Sequence, residues 1–424
     1  MKIFLFLWMT IQCMASCAQK NIPSQTKSNT SIHAGAERIQ VYLPLLKNKR
    51  IGIFANQTSM VGKTHLVDTL KKLGVQISVI FGPEHGFRGD ADAGEKVGNY
   101  TDAQTGVPVI SLYGSKRRPS AEDVKDIDIL LFDIQDVGVR FYTYISSLEE
   151  FMNAAFEYGK PLMILDRPNP NGFYVDGPVL EPKYRSFVGM QPIPVVYGMT
   201  LGEYAMMLAG EKWLSSPANA RAEYYQRAQN SADTPFHFLV IKCDNYTHKS
   251  KYVLPVKPSP NLPEIQSIYW YPSTCYFEGT VFSEGRGTEK PFQMFGHPSL
   301  PKNLYSFTPV SRPGATDPKL KGQKCYGWNI SGTPEEVLKK SGGRIQLKYL
   351  LDAYRLFPDK ANFFIKPKSG NMDESFFNKL AGTASLLQQV TSGASENDIR
   401  KSWQPKLDEF KTIRKKYLLY KDYE

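Results

Sequence analysis

Between residues 50 and 241 the chain alternates short, nearly unbroken apolar runs with amphipathic stretches, a pattern that few folds can satisfy. The runs lie at 50–55, 75–81, 107–113, 127–134, 162–165 and 236–241. A strand buried on both faces of a parallel sheet reads as continuously apolar rather than alternating. The run with Ile127, Ile129, Leu130, Leu131 and Phe132 has that character. Segments 63–73, 143–158 and 200–213 between the runs carry helical spacing. In the first, Leu66, Leu70 and Leu73 share a face and Gly74 ends it; in the last, Thr200 and Glu203 form a capping box. Repeated β-α units with short loops predict an α/β fold built on a doubly wound parallel sheet. No G-x-G-x-x-G follows the first strand, so no nicotinamide cofactor is expected; none of another kind is indicated.

The pattern changes after Pro255. Residues 256–263 are too dense in proline for regular structure. The aromatic and glycine-rich segments 269–280 and 285–296 read as irregular structure with short strands, and helices return at 334–340, 347–357 and 374–389. The expected boundary falls near Pro255, with an α/β domain at 37–255 and an α+β domain at 256–424.

The N-terminus reads as a targeting signal. Lys2 precedes an apolar stretch, 3–11, far shorter than the ~20 residues of a membrane-spanning helix. It ends in Met14-Ala15-Ser16-Cys17, which resembles a bacterial lipobox with Cys17 as the lipidated residue. Residues 1–17 are then the signal peptide and lipobox. Residues 18–36, polar and poor in large apolar side chains, form a flexible tether. Gln19-Lys20-Asn21 holds no aspartate, which points to the outer membrane, facing the periplasm. The formal net charge of +11 favours acidic partners. In an exported protein these are cell-wall fragments and anionic lipid, and no aromatic-interleaved basic cluster suggests nucleic acid. Without Cys13 and Cys17, the cysteines left are Cys243, Cys275 and Cys325, enough for one bridge at most. Scattered histidines and the lack of CxxC or HExxH spacing give no metal site.

In an open parallel sheet, ligands bind beyond the carboxyl ends of the strands. There the sequence places Asn56 after the first strand and Glu84, His85 and Arg88 after the second. Asp133, Asp136, Arg140, Tyr142 and Tyr144 follow the fourth, and Asp166 and Asn169 the fifth. Any one of these could cap a turn or pair internally; four strand ends together suggest one chemical rim. Glu84 stands out, a carboxyl between Pro83 and His85, shielded by Phe81 and Phe87, in a loop whose glycines permit close approach. Glu278 and Glu284, with Arg286, form a second acid-rich loop. Glycosidic cleavage usually needs two carboxyl groups flanking one bond, and Glu84 facing Glu278 or Glu284 across a cleft would meet that need. Arg88, Arg140 and Arg286 stand among these acids, able to pair with them or with an anionic ligand.

The runs 81–89, 133–144, 166–170 and 258–261, and 277–280 with 283–287, together resemble the exo-β-N-acetylmuramidase family. The resemblance extends from about residue 50 to the C-terminus and implies a Rossmann-like catalytic domain, 37–255, a smaller α+β C-terminal domain, 256–424, and a site in the cleft between them. It implies hydrolysis of the β-1,4 bond that releases N-acetylmuramic acid from the non-reducing end of peptidoglycan fragments. Glu84 matches the family's proposed catalytic glutamate, with His85 beside it; Asp136, Glu278 and Glu284 are the candidates to assist. Asn56, Arg88, Asp133, Arg140, Tyr142, Tyr144, Asp166, Asn169 and Arg286 are carried over as substrate-binding. Two other readings stand beside it. A lipid-anchored glycan-binding protein would gain nothing from carboxylates at its centre. An esterase or deacetylase lacks a GxSxG elbow and metal-ligand spacing.

Overall fold

Each of the six apolar runs supplies a strand, and the six lie side by side in one sheet. The computed structural model describes residues 31–84, 86–89, 98–228 and 236–424. The strands are β1 (Arg50–Ala55), β2 (Met60–Val61), β3 (Thr64–His65), β4 (Gln76–Gly82), β5 (Tyr100–Thr101), β6 (Pro108–Ser111), β7 (Ile129–Asp133), β8 (Leu162–Leu165), β9 (Phe238–Ile241), β10 (Met294–His297), β11 (Tyr305–Phe307) and β12 (Cys325–Asn329). The helices are α1 (Ile39–Leu46), α2 (Leu66–Lys72), α3 (Ala121–Val124), α4 (Tyr144–Glu157), α5 (Leu201–Gly210), α6 (Ser216–Arg227), α7 (Ile265–Thr274), α8 (Pro334–Ser341), α9 (Lys348–Leu356), α10 (Phe376–Ala381), α11 (Ser385–Thr391) and α12 (Glu396–Lys415).

The main sheet runs β5-β6-β4-β1-β7-β8-β9, with β5 antiparallel to β6 and every other pair parallel. Counting only the parallel strands in chain order, the sequence across the sheet is 3-2-1-4-5-6, that of a doubly wound Rossmann-type sheet. Its direction reverses between β1 and β7, the crevice where such folds bind ligands. Register brings Phe54 of β1 level with Phe81 of β4 and Phe132 of β7, so the three carboxyl ends share one edge.

Side chains alternate between two apolar layers, as the period of two along a strand requires. Phe54, Phe81, Leu130, Phe132 and Ile164 join α4 and α5 on one face. Ile53, Ile80, Ile129, Leu131 and Met163 join α1 and α2 on the other. The first layer continues without a break through Tyr271 and Phe277 to Phe377 and Phe410, and residues 32–424 form one compact unit. The second half adds the small antiparallel sheet β10-β12-β11 and the helices from α7 onward. Among the described residues no helix is long and apolar enough to cross a membrane.

Four local expectations change. Residues 269–274 belong to α7 rather than to irregular structure; the helix is buried from Ser267 to Thr274, so packing holds it despite Pro272 and despite a pattern with no polar face. The helix expected at 374–389 breaks at Gly382, left-handed at φ 79°, into α10 and α11. The helix expected from residue 63 begins at Leu66, because Gly62 (φ 58°) turns β2 into β3 and the His65 side chain caps Val67 N at 3.2 Å. Residues 33–36, assigned to the tether, instead dock on the sheet. Gly35 N donates to Asp166 O at 2.7 Å, and a Cβ at Gly35 would stand 2.1 Å from Ile241 O, so only glycine fits. The signal, Cys17 and tether residues 18–30 lie outside the described residues, as does His85.

Candidate active site

Beyond the carboxyl ends of β4, β6 and β7 lies a cavity of about 350 Å³, within the range of small-molecule sites. Its acids come from both halves of the chain. Glu84 follows β4, in a turn closed by Gly86 N donating to Pro83 O at 3.1 Å, with Gly86 at φ 74°. Glu278 comes from the short 3-10 turn after α7, and Arg286 from the glycine-rich loop beyond it. Tyr113, after β6, donates its hydroxyl to Glu84 Oε1 at 3.1 Å. Burial and the Glu84 carboxylate push the Tyr113 phenol up to about 12, so it stays a donor at neutral pH.

Arg286 ties the second acid in place. Its Nη2 donates to Glu278 Oε1 at 2.7 Å, and its Nε stands 3.3 Å from Glu284 Oε1. Lys319 Nζ lies 2.8 Å from the other Glu284 oxygen. Burial opposes the charge on Glu284, yet Lys319 and Arg286 together hold its carboxyl below the ordinary value. Glu284 itself is buried and does not line the cavity.

Aromatic rings line much of the cavity. Phe141, Tyr142 and Tyr144 lead from β7 into α4, and Tyr271 and Phe292 face them. Tyr142 and Tyr144 meet edge to face at 4.7 Å, and Tyr271 and Phe292 at 4.8 Å. The phenol of Tyr142 donates to Pro258 O at 2.9 Å, and Gln57 Nε2 donates to the same oxygen at 3.1 Å. These bonds pin the proline-dense segment, whose Ser259 and Asn261 also line the cavity.

Glu84, Tyr142, Tyr144, Glu278 and Arg286 therefore converge; of the other expected residues that are described, none lines the cavity. Asn56 is fully buried and donates to Tyr144 Oη at 2.8 Å, touching the site through that ring. Arg88 pairs with Asp68 and Asp102, at 3.3 and 2.9 Å, and does not line the cavity. Arg140 donates to three main-chain carbonyls, Pro178, Ile193 and Leu380, at 2.9, 2.9 and 2.7 Å, and burial lowers its guanidinium to about 10. Asp133 forms a buried two-bond pair with Arg167. Asp136 accepts from Gly138 N and Tyr197 Oη at 2.6 and 2.5 Å, away from the cavity. Asp166 accepts from Thr200, Gly202 and Tyr420, tying β8 to α5 and to the C-terminal segment. Asn169 bonds Met199 O and Asn171 N, both at 2.8 Å.

Tyr113, Arg117, Ser259 and Asn261 are lining residues that sequence reasoning did not select. Ser259 and Asn261 stand within the run 258–261 that carried the resemblance; Tyr113 and Arg117 carry no such signal. A larger cavity, about 440 Å³, lies by β9 against Phe156, Tyr225 and Phe238, but no acid lines it. Among the described residues no group of three histidine, cysteine or acidic side chains is placed to hold a metal ion. Cys243, Cys275 and Cys325 are buried free thiols.

Two family models match in tandem. The N-terminal model of exo-beta-N-acetylmuramidase NamZ covers residues 51–266 and the C-terminal model 269–420. Peptidoglycan beta-N-acetylmuramidase NamZ of Bacillus subtilis (strain 168) is 36% identical over 422 residues, 96% of this chain and 95% of that protein. Crystal structures of two DUF1343 family proteins from Bacteroides fragilis NCTC 9343 are similar in fold. One is 45% identical, covers 93% of this chain and 100% of its own, and superposes with a TM-score of 0.79. The other is 29% identical, with coverages of 92% and 99% and a TM-score of 0.71. The chain thus belongs to the exo-β-N-acetylmuramidase NamZ family and spans both of its domains.

Proposed function

We propose that this protein is an exo-acting glycoside hydrolase. It releases N-acetylmuramic acid from the non-reducing end of peptidoglycan fragments by cleaving the β-1,4 bond to N-acetylglucosamine, in cell-wall turnover. The observation that carries the reading is the meeting of Glu84 and Glu278, from separate halves of the chain, in one aromatic-lined cavity. Glycoside hydrolysis asks for an acid at the leaving oxygen and negative charge near the positively charged sugar that develops. Glu84 is the acid in this scheme. It delivers its proton to the glycosidic oxygen as the bond to C1 of the muramyl sugar breaks, water supplies the hydroxyl that C1 takes up and the proton that restores the acid, and Tyr113 steadies the carboxylate in between. Glu278, paired with Arg286, supplies the second carboxylate, and the tyrosine and phenylalanine rings offer apolar faces to the sugars.

The test uses protein lacking residues 1–20. The parent and a Glu84→Gln variant are incubated with N-acetylmuramic acid β-1,4-linked to N-acetylglucosamine, and the free sugars are followed by mass spectrometry. Release by the parent and its loss in the variant are expected. A folded parent that releases neither sugar overturns the reading.

Export and anchoring belong to the same proposal. A signal peptide ending at a lipidated Cys17 and a tether from residue 18 would hold the enzyme at the outer membrane, facing periplasmic peptidoglycan. Cys17→Ala should shift the full chain from the membrane to the soluble fraction of fractionated cells. Equal membrane retention of both forms removes the anchor from the account.

A further inference from the structure

We infer that Arg117 binds the substrate's carboxylate and forms an anion subsite beside Glu84; this rests on the muramidase reading and deepens it. N-acetylmuramic acid differs from N-acetylglucosamine by a lactyl ether that ends in a carboxylate. A cation with free donors at the cavity wall would select the first sugar over the second.

Among the described residues two cations line the cavity, Arg117 and Arg286. Arg286 is engaged by Glu278 and Glu284. Adding a third carboxylate there would crowd anions around one guanidinium. Arg117 has no carboxylate partner among the described residues. Its Nε makes one long bond, 3.4 Å, to Gly114 O, and its guanidinium carbon lies 4.2 Å over the ring of Phe187, itself a lining residue. Stacking on an aromatic face orients a planar guanidinium while leaving its edge for a two-bond contact with a carboxylate.

The neighbours of Arg117 hold it at that place. Lys116 pairs with Asp123 at 2.5 Å and Arg118 with Glu157 at 3.1 Å, so the chain is fastened on both sides and the middle cation is left to the cavity. Its charge also acts on Tyr113, the donor to Glu84. A lactyl group held there would fix the sugar next to the acid. Sitting at an exposed mouth, Arg117 can meet its ligand without the desolvation that a buried charge requires.

The test separates this subsite from the catalytic reading by measuring binding without turnover. Glu84→Gln protein is titrated calorimetrically with two disaccharides, N-acetylmuramyl-β-1,4-N-acetylglucosamine and the lactyl-free di-N-acetylchitobiose. Glu84→Gln should prefer the first by about 10- to 100-fold, the span of a hydrogen-bonded charge contact. Adding Arg117→Ala should bring the ratio close to one, and Arg117→Lys, with its charge but no fork, should fall between. Melting curves establish that each variant is folded. If the ratio survives Arg117→Ala, the carboxylate is met elsewhere and the subsite is wrong, while hydrolysis by the parent still upholds the muramidase reading. If Glu84→Gln binds neither sugar and the parent hydrolyses neither, both fall.

Discussion

Arg286 Nη2 donates to Glu278 Oε1 at 2.7 Å while its Nε stands 3.3 Å from Glu284, so one guanidinium joins a carboxylate at the cavity wall to one buried outside it. Arg286→Ala removes that link. Glu278 loses its orientation, and Glu284 is left with Lys319 as its cation. Breaking a largely desolvated pair from one side costs about 3–5 kcal/mol. The expected result is a fall of at least ~100-fold in kcat/KM together with a lower melting temperature, because a misplaced reacting group is costly even when small in displacement. Arg286→Lys, able to serve one acid at a time, should lie between. Parent-like kinetics in Arg286→Ala would detach Glu278 from the chemistry.

Tyr113 offers a cleaner perturbation. Tyr113→Phe deletes the hydroxyl that donates to Glu84 and keeps the ring. One hydrogen bond to a charged group is worth about 1.5–3 kcal/mol, part of which water can replace at this half-exposed position. The expected loss is about ten-fold in kcat with little change in KM or in melting temperature. An unchanged kcat would mean that Glu84 needs no help from this phenol.

The strands were legible because burial on two faces leaves an unmistakable run of apolar residues, and β7 shows this best. The site was legible only in part. Strand-end logic selects Tyr142 and Arg140 equally, but the first faces the cavity and the second turns inward to main-chain carbonyls 38 to 240 residues away in sequence. Direction of this kind depends on contacts between distant segments, which local pattern does not carry. Asp133 and Asp166 show the same ambiguity, since a carboxyl that clamps a scaffold and one that meets a ligand have the same residue type at the same kind of position. Arg117 was missed for the opposite reason. Lys116-Arg117-Arg118 reads as a solvated basic run, and only the pairing of its two neighbours singles out the middle residue.

Buried carboxyls away from the cavity predict an unusual pH dependence of stability. Burial pushes Asp136 and Asp166 up to about 6 and Glu149 up to about 7. Unfolded, such groups titrate near ~4. Between those values the native state binds more protons than the unfolded one, so their stabilisation is full below ~4 and is lost as pH rises through 6 to 7. A shift of about two units corresponds to about 3 kcal/mol. Asp102, Asp128 and Glu284 are shifted the other way, and their stabilisation is lost only on acidification below ~4. His65 and His297, held below the ordinary imidazole value by burial, act the other way below ~6.5; with three raised carboxyls against them the melting temperature should still rise as pH falls from 7.5 to about 5.5, and Asp136→Asn should flatten that slope. A melting temperature that climbs with pH across this window would contradict the assignment.

The pair of Asp133 and Arg167 predicts where the scaffold is most vulnerable. Arg167 Nε and Nη2 meet the two Asp133 oxygens at 2.6 and 2.8 Å, and Nη2 also donates to Met60 O at 2.9 Å. The contact joins the end of β7 to the loop after β8 and to β2, beside the point where the sheet reverses direction. Both side chains are nearly inaccessible, at 3% and 0% exposure, so removing either partner strands a charge without water. Arg167→Met and Asp133→Leu should each lower the unfolding free energy by about 3–5 kcal/mol. The double variant removes both charges and need not suffer the sum; apolar replacements of buried pairs are often close to neutral. Urea denaturation of the parent, both singles and the double tests this directly. A double variant less destabilised than either single is expected, whereas additive losses would mean that each residue is held chiefly by its other contacts.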